Sequence, residues 1–421
     1  MKPAHTFLED IFDKLASVAP DVRGVRRDTY GKGEQAAHDL LKSVAKELSL
    51  DIATDAGANL YMTLTGKEPG LPVVMTGSHM DSVPAGGNFD GATGVIAALE
   101  IARRWRQDNY VPDRSLVVMA IRAEESAWFP VSYIGSKAAF NLLSASDLEA
   151  KRHDNGSLLK DGISSSGGDP QALLYGQPFL KAADIHAFLE LHIEQGPCLL
   201  EQSDTVIGVV TGICGSTRYR YARLHGAYAH SGATPRLFRQ DSVVALSDLV
   251  TRAQAMWAEQ EAQGHLFTLT FGIFSTDADL ASFCKISGDV AFSIDIRSTS
   301  SETLQVIETK LKELCLDVER KYGVSFEFGT HSGSKPAIMD ETIQNEMLEA
   351  AADLSVGAQT MPSGAGHDTA IFANQGIRCG MLFVRNQNGS HCPEEFLDIA
   401  DLRKAIDVFD VVLKQETSLS L

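Results

Sequence analysis

The chain has 421 residues and a formal net charge of −18, from 55 acidic against 37 basic side chains, with 44% hydrophobic residues. That length is too great for one ordinary core and predicts two domains of a globular protein. The acidity argues against nucleic acid and anionic membrane surfaces as partners.

Met1 to Asp10 carries acids where a signal peptide has its apolar region, and no apolar run reaches the length of a bilayer span. Helical period then appears at Gln35–Leu48, where Ala37, Leu40, Leu41, Val44, Ala45 and Leu48 share a face. Strands are predicted at Asn59–Leu64, Leu71–Thr76 and Ser115–Ile121, with a helix through Val95–Trp105 between the last two. Ser164–Pro170 reads as a local polar loop, and His186–His192 as another strand. This alternation predicts an open α/β sheet, whose chemistry belongs at the strand ends and in the loops beyond them. The middle changes character. Gly208–Gly226 and Leu266–Arg297 are β-rich and alternating, and amphipathic helices are predicted at Asp241–Glu261 and Glu302–Tyr322. They suggest a smaller α+β domain inserted into the first. Alternation resumes with Glu341–Leu354, Ile377–Val384 and Ala400–Lys414. The six cysteines, Cys198, Cys214, Cys284, Cys315, Cys379 and Cys392, form no C-x-x-C pair and no disulfide-framework spacing. They fit a reducing compartment, so a cytoplasmic location is expected.

Four segments carry the chemistry. Thr76–Val95 packs His79, Asp81 and Asp90 into a glycine-rich stretch after an apolar run. The others are Ala123-Glu-Glu-Ser126, Glu190-Leu-His-Ile-Glu-Gln-Gly-Pro197 and Gly389-Ser-His-Cys-Pro-Glu394. His79, Asp90, Glu125, His192 and His391 are N and O donors that suit Zn²⁺, Mn²⁺, Co²⁺ or Ni²⁺. Three imidazoles and two carboxylates exceed what one catalytic ion with an open position takes, and suit two ions sharing a bridging carboxylate. Hydrolysis also needs a base, and Glu124 adjoins Glu125. Asp81 stands two residues after His79, where a carboxylate can fix a ligand imidazole's tautomer. Cys392 reads as a packed small side chain rather than a ligand.

On these motifs the chain resembles the amidase branch of the dinuclear-zinc aminoacylase/carboxypeptidase family. That branch includes N-carbamoyl-L-amino-acid hydrolases, β-ureidopropionase, allantoate amidohydrolase and ureidoglycolate amidohydrolase. Gly77–Ser82 with Gly87–Val95 matches its first metal motif, and Glu190–Pro197 is the signature that separates it from the peptidases. Ser363-Gly-Ala-Gly-His-Asp368 and Gly389–Pro393 match as well. The resemblance implies an open mixed-sheet dinuclear-metallohydrolase catalytic domain, 1–214 plus 330–421, with an inserted α+β lid/dimerisation domain, 215–329. It implies that two divalent ions, Zn²⁺ foremost, are held by His79 and His192, by Glu125 and His391, and by Asp90 as the bridge. Glu124 becomes the general base, backed by Asp81. His230, in Tyr228-Ala-His-Ser-Gly-Ala-Thr-Pro235, becomes the lid histidine that steadies the oxyanion from the other subunit of a homodimer. Arg297 would clamp a substrate carboxylate, while Gln195, Gly364, Ala365 and His367 would line the pocket. The implied reaction is hydrolysis of a linear amide or ureido bond of a small carboxylate-bearing compound. N-carbamoyl-L-amino acids lead, and allantoate, ureidoglycolate and β-ureido acids are the alternatives. A dinuclear metallopeptidase is more distant.

The departures fall on the substrate side. Cys284 stands where the family has a substrate-contacting Asn, and Ser216-Thr217 where it has a Gln. Arg236 replaces a Met, Trp128 an Arg, and Arg385-Asn386 a Pro-Ser. The last motif is one residue shorter before Ser390. The donors and the base are intact, so C–N hydrolysis follows more directly from the sequence than any one substrate.

Overall fold

A computed structural model describes residues 6–419; positions 1–5 and 420–421, the outermost ends of the expected catalytic domain, lie outside the described residues. The chain forms two compact units. The first holds the chain up to Thr211, Met339–Ser363 and the chain from His367 on; the second holds Gly212–Ile338 and Gly364–Gly366.

The first unit is built on a mixed sheet. Its strand order is Asp51–Thr54, Leu60–Leu64, Leu116–Ile121, Val73–His79, Ile185–Ile193, Arg378–Val384 and Ile207–Ile213, with Ala358–Ser363 also paired to the last. The central strands Leu116–Ile121, Val73–His79, Ile185–Ile193 and Arg378–Val384 run parallel to one another. The flanking pairings are antiparallel. Leu116–Ile121 is buried at every position, as expected of a strand covered on both faces. Helix Ala92–Gln107 contributes Val95, Ile96, Leu99, Ile101 and Trp105 to the core, together with helices Phe7–Val18, Lys32–Glu47 and Ile399–Thr417. A second cluster, with Ala123, Trp128, Phe129, Ile134 and Leu159, packs around the segment that follows Ile121. Because the central strands are parallel, their C-terminal ends reach one edge of the sheet, where open α/β folds place their sites.

The second unit is an antiparallel sheet with two helices. Its order is Phe274–Thr276, Asp289–Ser298, Gly215–His225 and Ser325–Glu327. Thr268–Thr270 adds to Asp289–Ser298, and His331–Ser334 to Gly215–His225. Burial alternates strictly along Asp289–Ser298, so Val290, Phe292, Ile294 and Ile296 face a core shared with helices Ser242–Ala262 and Ser301–Tyr322. Asp295 and Arg297 therefore point to the other face. A short ribbon pairs Ala229–His230 with Lys285–Ile286.

Several short elements escape the sequence reading, among them the helices of 134–175. Helix Phe7–Val18 falls in a stretch read for targeting rather than for period, and Ser164–Pro170 is not a plain loop. It spans the end of helix Leu159–Ser165 and the start of helix Pro170–Tyr175, where Asp169 caps Gln171 and Ala172. Among the described residues no helix is long and apolar enough to cross a membrane. All six cysteines are free thiols.

Candidate metal centre

His79 is the last residue of its strand, and His192 lies within Ile185–Ile193, next to its end. Asp90 precedes helix Ala92–Gln107, Glu125 follows Leu116–Ile121 after a short turn, and His391 lies beyond Arg378–Val384. The parallel ends bring these separated segments together. His79, Asp90 and His192 form one group whose ligand atoms lie within 4.8 Å of one another; Asp90, Glu125 and His391 form a second. Asp90 belongs to both.

The hydrogen bonds show what the first group lacks. His192 Nδ1 meets the Ile193 carbonyl at 2.8 Å, so Nδ1 carries the proton and Nε2 presents a lone pair. His79 Nδ1 meets the Asp81 carbonyl at 3.1 Å, which leaves its Nε2 in the same state. Both Nε2 atoms face Asp90 Oδ1, at 3.2 Å from His192 and 3.6 Å from His79. That oxygen is buried and has no hydrogen-bond partner. The Gly91 N–H reaches His192 Nε2 at 3.2 Å, but no donor reaches Asp90 Oδ1, and three acceptors turned toward one another suit a cation between them, so the donor set fits a divalent metal. Gly91 makes room for this packing at φ +64°, since a Cβ there would lie 2.5 Å from the His79 carbonyl oxygen and 2.6 Å from its ring. In the second group His391 Nε2 lies 3.0 Å from Glu125 Oε1 and 3.3 Å from Asp90 Oδ2.

The local field agrees. Burial alone would strip the proton from His79, but the neighbouring carboxylates of Asp81 and Asp90 outweigh it and hold the imidazole well above its usual range. Asp90 and Glu125 push His391 up to about 11. Burial would raise Asp90, yet its three imidazole neighbours hold it well below the usual carboxylate range. A cluster that draws positive charge this strongly onto imidazoles also favours a divalent cation.

Asp81 is fully buried and joins two segments. It accepts from the Thr29 hydroxyl at 2.6 Å, from Glu124 N at 3.0 Å and from Glu125 N at 3.2 Å, while lying 3.4 Å from His79 Nδ1. One carboxylate thus orients an imidazole and the Glu124–Glu125 turn. Ala123 enters that turn at φ 57°, a conformation that a non-glycine residue holds only when its surroundings impose it. Glu34 accepts the Ala123 N–H and pairs with the buried Arg122. Glu124 is not part of either donor group. Burial, then the charge of Glu125, raises its carboxyl well above the usual range.

Gln195, at φ 64°, donates to Asp90 Oδ2 at 3.0 Å. His367 packs edge-on against His192 with ring centroids 4.6 Å apart and hydrogen-bonds Ser363 Oγ at 2.9 Å. Glu190 lies near His192 and His367, but both of its oxygens are taken, by Ser78 and by Thr369, so it reads as structural. The Cys392 thiol donates to the Asn388 carbonyl, in accord with a packed role.

The remaining expected site residues lie in the second unit. Arg297 pairs in register with Ser216, and its NH1 donates to the Gly364 carbonyl at 2.9 Å. Ala365 belongs to the same short segment. The Arg297 fork is already engaged by Asp295 Oδ2, at 3.0 Å from Nε and 2.9 Å from NH2. Ser216 and Thr217 are buried on Gly215–His225. His230 sits beside Cys284, whose neighbour Lys285 is its cross-strand partner. His230 Nδ1 accepts from Gly232 N and Ala233 N, both at 3.1 Å. Its proton is therefore on Nε2, which is left as a donor.

Several supporting residues went unread in the sequence. Arg27, fully buried, donates to the carbonyls of Met80 and Asp90 and to the Asn88 side chain. Thr29, Glu34, Ser390 and Glu395 also hold donor segments. Only Ser390 and Glu395 carried a signal, their closeness in sequence to His391.

Residues 75–415 match the family model of Peptidase family M20/M25/M40. The chain belongs to this family. Within it the chain is similar to enzymes that act on non-peptide C–N bonds. The N-carbamoyl-L-amino-acid amidohydrolase of Paenarthrobacter aurescens is 34% identical over 408 residues, 97% of each chain. The allantoate amidohydrolase of Escherichia coli (strain K12) is 31% identical over 415 residues, again 97% of each. The crystal structure of an amidase of the hydantoinase/carbamoylase family from Burkholderia multivorans matches with a TM-score of 0.86 at 26% identity, covering 98% of both chains. Membership and the donor groups together point to divalent metal use.

Proposed function

We propose that the chain is a metal-dependent amidohydrolase that cleaves a linear C–N bond of a small carboxylate-bearing ureido compound. An N-carbamoyl-L-amino acid is the leading substrate, giving amino acid, CO₂ and ammonia. The observation that carries this reading is the pair of donor groups meeting at Asp90, with Glu124 beside them and outside both. Two divalent ions, held by His79 and His192 on one side and by Glu125 and His391 on the other, would polarise the substrate carbonyl and acidify the attacking water. Glu124 takes the proton of that water and delivers it to the leaving nitrogen. Asp81 keeps the His79 tautomer and the Glu124 backbone in place. Ammonia release from a panel of N-carbamoyl amino acids, allantoate, ureidoglycolate, β-ureido acids and dipeptides, with Zn²⁺, Mn²⁺, Co²⁺ and Ni²⁺ added separately, tests the reading. Turnover of dipeptides alone would refute it.

Allantoate is the second reading, supported by the 31% identity to a named allantoate amidohydrolase. The substrate-side departures weigh against it. Cys284 and Ser216-Thr217 remove amide side chains that would hold a second polar arm, so a ureido acid with a less polar side chain is preferred. Arg297→Ala is expected to raise KM with little change in kcat, since a guanidinium that exchanges its contacts to Gly364 and Asp295 for the substrate carboxylate binds ground state and transition state alike. Cys284→Asn is expected to shift the substrate ranking toward allantoate. Allantoate as the best substrate of the unmodified enzyme would contradict the argument from the departures.

The protein works as a homodimer in this proposal, the second unit serving as lid and dimerisation domain. His230 offers its Nε2–H to the oxyanion in the partner's site, a role for which an exposed N–H donor is suited. Mixing His230→Ala and Glu124→Gln dimers under subunit exchange is expected to restore activity, because heterodimers regain one intact site. No recovery would indicate a histidine working within its own chain.

A further inference from the structure

The donors differ in how they are supported. His79 and His192 sit on central strands and are enclosed, whereas the His391 side chain is 50% exposed on a loop. The backbone around His391 is left-handed at Asn388, Gly389 and His391, with φ of 65°, 72° and 60°. A single antiparallel bridge, Gln387 to Phe396, closes the base of this loop, and the geometry at its tip must be imposed by neighbours.

Glu395 supplies the tie. It is 6% exposed, and its Oε1 accepts the backbone N–H groups of Phe89 at 2.8 Å and Asp90 at 3.1 Å. The Ser390 hydroxyl lies 2.6 Å from Oε2 and 2.8 Å from Asp90 Oδ2. One side chain therefore links the backbone of the shared carboxylate to the residue beside His391. Gly87 makes room for it, since a Cβ at that position would lie 2.2 Å from Glu395 Cδ. The glycine of the first motif and the glutamate just after the last are two halves of one contact.

We propose that Glu395 is a positioning residue for the His391 half of the metal cluster, acting through Ser390 and the Asp90 backbone without being a ligand. The inference rests on the two-ion reading above. Without Glu395 the His391 loop loses its tie to the Phe89 and Asp90 backbone and keeps only the Ser390 hydroxyl on Asp90 Oδ2, while His79 and His192 keep their strands. Removing the partners of metal ligands typically weakens affinity by about 10–100-fold. Here that loss falls on one of two binding steps.

The test strips the full-length protein of metal and titrates it with Zn²⁺ against a chromophoric chelator. Glu395→Ala is expected to weaken one step by about 10–100-fold, the same step that His391→Ala removes, and to change the other far less. Its kcat should recover at saturating Zn²⁺. Glu395→Gln should retain both steps, because its Oε1 can accept the two N–H groups and its Nε2 can donate to Ser390. Ser390→Ala, a mild change, should weaken the same step and decides the matter if Glu395→Ala does not fold. Equal weakening of both steps, or no weakening in Glu395→Ala and Ser390→Ala, overturns the proposal. A single binding step in the unmodified protein overturns the two-ion reading instead, and this inference with it.

Discussion

Glu124→Gln is expected to lower kcat by about two to four orders of magnitude while the fold and bound metal are retained. The side chain is buried, its backbone N–H is fixed by Asp81, and its carbonyl accepts the Tyr133 N–H at 3.0 Å. Glutamine preserves size and these backbone contacts but cannot take a proton. Glu124 stands outside both donor groups, so its loss as a base does not empty them. The desolvation and the adjacent Glu125 charge that raise its carboxyl also suit a group that must take a proton from water. Steady-state kinetics with elemental analysis of the same preparation check this. Near-normal turnover with metal bound would remove Glu124 from the role.

Metal removal is the second large effect. Exhaustive chelation should abolish turnover, and adding back a divalent ion should restore it. Stability should fall as well. An ion that binds only the folded chain contributes about 4 kcal/mol when its concentration is about a thousandfold above Kd. The structural reason is the facing of His79 Nε2, His192 Nε2 and Asp90 Oδ1, which without a cation must take up protons or repel. Calorimetry of stripped and reloaded protein reads the change, and elemental analysis is expected to give close to two ions per chain when loaded. Full activity with an unchanged melting temperature in demonstrably metal-free protein would contradict the assignment.

The central strands were legible from their apolar runs, and the long helices from their period. The short helices of 134–175 were not, because they are fixed by the cluster around Trp128 and Phe129, with caps from Ser144 and Asp169 on two of them, rather than by their own pattern. The donors and Glu124 were legible for a chemical reason. Few residue types bind metal or move protons, and here they fall within short segments beside strand ends. Their arrangement was not. Residue type does not say which oxygen of Asp90 is left without a donor, or that the Arg297 fork already holds Asp295. The supporting residues were least visible. Arg27 and Glu34 carry no motif in the sequence and Glu395 only its closeness to His391, and burial and hydrogen-bond direction reveal them as parts of the site. Glu395 reaches Asp90 across 305 positions. The sequence alone determined the family and the residue types that can hold a metal or move a proton. Only the tertiary structure decided which lone pairs meet and what holds them, because those depend on directions in space that parallel strand ends create.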